Sequence, residues 1–464
     1  MSQGLPNILI LMPDQMRADC MGCAGHAVVK TPHTDRLAAE GVRFTQATTV
    51  CPICQPARAS FVNGLYPHNH HMWTNAGQMP EADETFFHHL QRAGYYTAHV
   101  GKSHYYPHTF GHMRKHEDYM HARGLDYVHE TTGPWATVKM DSYMTDHWAE
   151  LHLLDRFRHD YNKRRKHSGI AVWPSPLPVE EFMDSYVGRQ AVEFVDSYQQ
   201  DKPLCLFVGF GGPHEPWDAP EPYAGMYDPL KCPPAIDPAK PGEWLSPYAA
   251  ERLTKGRVDT LTDEIIGMIR ANYYGKISLI DHWFGEIMTA FAGKGWLEDA
   301  FVVVWSDHGE MAGDHGRLHK SVFYESAVRV PLIIRWPGHA EWGKQCDSPA
   351  ENIDVFPTLL EAIGAEPSER CMGESLWPLL RNPDVHYRDA TYSEIAHQGH
   401  RNYMVRTSDY KYAMDDASRG YMLFDLDNDP EERENLVGHG NYKAIEQELR
   451  DHLFSFLART QFQL

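Results

Sequence analysis

Short apolar runs alternate with longer amphipathic stretches along most of the chain. Asn7–Met12, Tyr96–Val100, Leu204–Gly209, Phe301–Trp305 and Pro331–Trp336 are nearly unbroken apolar runs. Their length suits strands buried on both faces. Between them, Val179–Gln199 and Asp263–Ala292 predict long helices, with shorter ones at Thr34–Glu40 and Val355–Ile363. Strands rich in Val, Ile and Leu that alternate with helices predict an α/β fold: a large, mostly parallel sheet sandwiched by helices. Ligands of such sheets bind at the carboxyl ends of the strands. The residues just after each apolar run are therefore the first candidates for chemistry.

Near residue 385 the pattern shortens. Thr391–Ile395, Tyr403–Arg406, Tyr410–Ala413 and Met422–Leu426 predict strands, and Tyr442–Thr460 a final helix. We read 1–384 as the main unit and 385–464 as a small C-terminal subdomain, an antiparallel sheet with one helix. Residues 104–175, rich in His, Tyr and charge, lack periodicity, and 217–246 are rich in proline. Both predict irregular insertions, which in compact domains serve as lids and rims and leave room for a homodimer contact.

Composition narrows the partners. The 464 residues carry a formal net charge of −20, which argues against nucleic acid or an anionic membrane. The first residues, Met1 to Met12, lack a basic segment and a long apolar core, so the cytoplasm is the default location. The eight cysteines then predict free thiols rather than a disulfide framework. Cys20/Cys23 and Cys51/Cys54 are both C-x-x-C pairs, but Ala24–Val50 separates them by 27 residues. That gap exceeds the about 15–20 usual in zinc ribbons.

The strand ends carry a pattern. Asp14-Gln15 follows the first strand and Asp307-His308-Gly309 follows Phe301–Trp305. One such Asp is most often a turn or cap residue; two in matching positions can hold a divalent cation. Gly101-Lys102-Ser103-His104 follows the second strand and Pro213-His214 the third. Cys54-Gln55-Pro56-Ala57-Arg58 predicts a helix start, since proline is favoured in a first helical turn. Residue 54 then lies where the helix dipole favours an anion.

The run Cys54-x-Pro56-x-Arg58 with Gly64 resembles the maturation signature of the type I, formylglycine-dependent sulfatases of the alkaline phosphatase superfamily. Asp14-Gln15 and Asp307-His308 resemble that family's metal-ligand pairs. Gly101-Lys102-Ser103-His104 resembles its G-K-x-H element, and His214 and Lys320 its leaving-group histidine and second sulfate-binding lysine. Asn352–Leu360 and Phe424–Glu432 match further family segments. The resemblance implies an alkaline-phosphatase-like fold and hydrolysis of a small-molecule aryl or alkyl sulfate ester. It implies oxidation of Cys54 to formylglycine by a formylglycine-generating enzyme, the hydrate acting as nucleophile. It also implies one divalent ion on Asp14, Gln15, residue 54, Asp307 and His308. Calcium is the first expectation; the nitrogen ligand His308 admits manganese or zinc. Arg58, Lys102 and Lys320 would bind anionic oxygens, His214 would protonate the leaving oxygen, and His104 would take the proton that lets sulfate leave.

The rival within the superfamily is a phosphonate monoester or phosphodiester hydrolase with the same nucleophile. Gln15, His308 and Asn75, which resembles a substrate-contacting Asn of that branch, favour it; Lys102 and His104 favour a sulfatase. A binding protein on the same fold, or a C-x-x-C redox or metal module, is the rival from another class.

Overall fold

The structure is a computed structural model that describes residues 5–167, 169–397 and 399–461. Eight strands form the main sheet: β1 (Ile8–Asp14), β2 (Val42–Phe44), β3 (Tyr96–Lys102), β4 (Tyr127–Thr131), β5 (Leu204–Pro213), β6 (Phe301–Trp305), β7 (Leu332–Arg335) and β8 (Lys344–Cys346). Their spatial order is β8-β2-β7-β6-β1-β5-β3-β4. Pairing is parallel except where β7 meets β6 and β2. This is the mixed, mostly parallel sheet expected.

The central strand shows why its sequence is unbroken apolar. Alternate side chains of a strand point to opposite faces. Ile8, Ile10 and Met12 pack with Phe61, Phe86 and Phe356; Leu9 and Leu11 pack with Val187, Ile277 and Ile280. Both sets are fully buried. The first face is covered by helices α2 (Cys54–Asn63), α3 (Phe86–Arg92) and α6 (Val355–Ala362). The second is covered by α1 (Pro32–Ala39), α4 (Met183–Ser197) and α5 (Asp263–Gly293). The predicted helix from Val179 begins as a separate short turn, because Phe182 is extended (ψ 147°) and restarts the chain as α4.

Residues 104–175 hold more regular structure than their pattern predicts. They supply the edge strand β4 and helices at Tyr143–Glu150 and Leu154–Arg164. These pack Trp148, Phe157 and Tyr161 into a small cluster with Met183 and Tyr186 of α4 and Leu279 of α5. The proline-rich stretch 217–246 contains only short turns at Tyr223–Gly225 and Pro229–Lys231.

Four antiparallel strands, β9 (Ala390–His397), β10 (His400–Thr407), β11 (Tyr410–Asp415) and β12 (Gly420–Asp425), form the second sheet expected. Helix α7 (Lys443–Thr460) packs Leu449, Leu453 and Phe456 against it. Among the described residues, no helix is long and apolar enough to cross a membrane.

Candidate active site

Strand register brings the distant motifs together. Leu11 is level with Val304 in the parallel β1–β6 pair, so Asp14 and Asp307, each three residues further on, end side by side. Asp14 is also level with Pro213 of β5, which places His214 next in line. Gly101 of β3 is level with Gly209 of β5 and has φ +97°. A Cβ there would stand 2.0 Å from the Gly209 carbonyl oxygen. Glycine thus permits the strands to close at the point where Lys102 leaves the sheet.

Cys54 is the first residue of α2, and Gly64 ends that helix in the left-handed conformation, φ 70°. The fixed offsets of the motif therefore mark one short helix from start to stop. Arg58, one turn after Cys54, lies fully inside. Its Nε donates to Asp307 Oδ2 (2.8 Å), its Nη1 to the Lys102 carbonyl (2.7 Å), and its Nη2 lies 3.1 Å from Asp14 Oδ2. One guanidinium so ties three strand ends to the helix that carries residue 54.

Around Cys54 the ligating atoms of Asp14, Asp307 and His308 all lie within 4.8 Å of one another and of the sulfur, and all four residues are buried. Cys54 Sγ is 3.1 Å from His308 Nε2. Two carboxylates and an imidazole, with an oxygen replacing sulfur at position 54, fit a hard or borderline divalent cation. Gln15 stands at φ 67°, and its backbone N–H donates to Asp307 Oδ1 (2.9 Å). Its carboxamide faces the other way: the oxygen accepts from Lys320, and the nitrogen donates to Glu215 (2.8 Å) and Glu310.

Lys102 Nζ meets the Asp14 carboxylate, and Lys320 Nζ lies 2.7 Å from His214 Nε2. His214 Nδ1 is 2.7 Å from the Glu215 carbonyl, which orients its other nitrogen toward Lys320. Burial raises the Cys54 thiol, but Lys320, Lys102 and His308 outweigh it and hold the thiol well below its usual 9.0. The same cations favour any anion formed at this position. Burial holds His104 below its usual 6.5 despite a hydrogen bond with Cys54, so the imidazole is neutral and able to accept a proton. Asn75 is exposed on the rim, where its Oδ1 accepts from the Gln55 N–H (3.0 Å).

Cys54, Asn75, Lys102, His104, His214 and Lys320 all line one cavity of about 490 Å³. Sequence reasoning missed several residues there. His108 stacks on His104 with ring centroids 4.5 Å apart, and both its ring nitrogens are buried without a hydrogen bond. Its only signal was the His/Tyr-rich composition after residue 103. Glu215, which lines the cavity, and Glu310, behind it on Gln15, directly follow predicted site motifs, and their carboxylates offset positive charge of Arg58, Lys102 and Lys320. Phe110, Trp135, Lys139 and Arg165 form the outer wall. All four lie within 104–175, the stretch expected to form a rim. No C-x-x-C pair contributes both thiols to a metal-ligand cluster among the described residues, and all eight cysteines are free.

Comparison with known proteins finds relatives over nearly the whole chain. The sulfatase family profile matches residues 6–365, and the profile of the N-sulphoglucosamine sulphohydrolase C-terminal region matches 313–459. An arylsulfatase of Clostridium perfringens is 28% identical over 460 residues, 94% of this chain and 91% of that protein. An ulvan-active sulfatase of Formosa agariphila is 30% identical, over 98% of this chain and 81% of its own length. Among solved structures, the phosphonate monoester hydrolase of Agrobacterium radiobacter superposes with a TM-score of 0.81 at 27% identity, covering 98% of this chain and 96% of that one. With its profile spanning most of the length and the strand-end residues gathered in one buried cluster, the chain belongs to the sulfatase family.

Proposed function

We propose that this sulfuric ester hydrolase cleaves aryl or alkyl sulfate esters with a nucleophile supplied by residue 54. The observation that carries the reading is the convergence of Lys102 and Lys320 with Cys54 in one cavity. Two ammonium groups beside the nucleophile match an anionic group whose oxygens gain charge during displacement, and preorganised charge of this kind is usually the largest catalytic contribution.

Converted to formylglycine by a maturation enzyme, residue 54 supplies an oxygen nucleophile in place of sulfur. Asp14, Asp307, His308 and residue 54, with Gln15 beside them, would hold the divalent cation, which would supply Lewis-acid chemistry to the nucleophile and the ester oxygens. Arg58 keeps both aspartates in place. Lys102 and Lys320 bind the non-bridging oxygens. His214 stands against Lys320 and donates a proton to the leaving oxygen. His104, neutral and hydrogen-bonded to Cys54, takes the proton that allows sulfate to depart. Phe110 and Trp135 on the outer wall suit a flat leaving group.

A phosphonate monoester or phosphodiester is the second reading, favoured by Gln15 and His308 and by the likeness to the Agrobacterium radiobacter hydrolase. Parallel kcat/KM measurements on an aryl sulfate, a phosphodiester and a phosphonate monoester separate the two. A sulfatase shows its highest value on the sulfate. A phosphonate value higher by about 10²-fold or more, some 3 kcal/mol of transition-state binding, sinks the sulfate assignment.

A further inference from the structure

Beside the catalytic cavity lies a second one of about 420 Å³, and Lys320 borders both. Arg252 and Arg317 line the second cavity with Ser321, Tyr324 and Tyr421. Arg257 adjoins them. Burial, then the charges of Arg257 and Arg252, pull the Arg317 guanidinium below its usual 12.5.

The three arginines lack counter-charges. Their hydrogen bonds run to neutral oxygens: Arg252 to Asn402 Oδ1 (2.7 Å), Arg257 to the Ala239 carbonyl (2.9 Å) and Arg317 to the Leu253 carbonyl (3.0 Å). Among the described residues, none of the three has a carboxylate within 4.0 Å. Carboxylates on neighbouring elements are already engaged. Glu325 is held by Arg406 and Lys411, Glu432 by Lys411, and Asp415 by Arg419. The Nε atoms of Arg257 and Arg317 are buried without a partner, and Arg317 is only 6% exposed. In a chain of net charge −20, unpaired cations packed together mark a place where an anion relieves repulsion. Guanidinium forks match tetrahedral oxyanions in geometry as well as charge.

We propose that this arginine cavity binds a tetrahedral oxyanion at a site distinct from the catalytic one. The anion is either free sulfate or a second sulfate group on a substrate whose first occupies the catalytic cavity. The free-anion form does not depend on the catalytic assignment.

Calorimetric titration of the full chain with inorganic sulfate tests it. The free-anion form predicts a sulfate site that is lost in Arg252→Gln and in Arg317→Gln; a site at the catalytic cavity, where sulfate also binds, persists. Melting without sulfate checks that each variant is folded; Arg252, half-buried, is the safer of the two. A substrate-borne group, a form that rests on the sulfatase reading, instead gives one sulfate site in the parent that both variants keep. In that case Arg252→Gln raises KM for a disulfated hexosamine about tenfold, as loss of a charge-assisted hydrogen bond does, and leaves an aryl monosulfate unchanged. Two sites that both survive in the variants overturn the proposal. So does one site that both variants keep together with equal KM changes on both substrates, or with no change on either.

Discussion

Residue 54 sits where burial and charge oppose each other. An isolated anion at a site 1% exposed is costly, yet two lysines and His308 reverse that cost. Cys54→Ala is therefore expected to lower kcat by about 10⁴-fold or more, since nothing else in the cavity can form the covalent ester. Lys320→Ala is expected to cost about 10²–10³-fold in kcat/KM, comparable to loss of one preorganised donor. A pH effect is expected away from the cation ligands. Burial pushes Glu130, which accepts from Ser103 and Tyr106, up to about 8 from its usual 4.5. The folded state then binds a proton that the unfolded chain releases. Stability contributed by that proton falls as pH rises from about 4.5 to 8 and is level above, a change of order 3–5 kcal/mol. Melting curves across this window check it: Glu130→Gln, always neutral, should flatten the slope, and an unchanged slope refutes the assignment.

At the scale of elements, the apolar runs and the offsets within motifs were legible because each reports a local rule. A strand covered on both faces reads as continuous apolar sequence, and Pro56 and Gly64 bracket one helix. Register was not legible: nothing local says that Leu11 aligns with Val304, although that pairing places Asp14 beside Asp307. The helices of 104–175 were missed for a related reason. Trp148, Phe157 and Tyr161 are buried against Met183 and Tyr186 of α4 and Leu279 of α5, and their spacing is masked by the His and charge around them. His108 and the outer-wall cations were missed with them. Gly101 tests the register argument. Gly101→Ala forces a Cβ against the Gly209 backbone at a positive φ, and a loss of about 2–4 kcal/mol in urea unfolding is expected. A neutral result contradicts the tight β3–β5 approach.

At the scale of the molecule, the small C-terminal sheet is fastened to the main unit by a buried ion network. Lys411 of β11, fully buried, meets Glu325 (3.0 Å) and Glu432, and Arg406 of β10 adds a bond to Glu325 (3.0 Å). Glu325 closes the same segment that carries Lys320. Lys411→Ala leaves the buried Glu432 carboxylate without its cation, and a loss of about 3–5 kcal/mol is expected; an unchanged melting temperature would falsify that role. The chain as a whole is acidic while the catalytic cavity gathers lysines and an arginine, a division of charge expected when an anionic substrate must be held locally. All of this chemistry depends on the state of residue 54, and mass spectrometry of active enzyme reads it directly. The peptide carrying residue 54 is expected to be about 18 Da lighter than its cysteine form, oxygen having replaced hydrogen sulfide. A fully active preparation in which residue 54 is entirely cysteine would contradict the account.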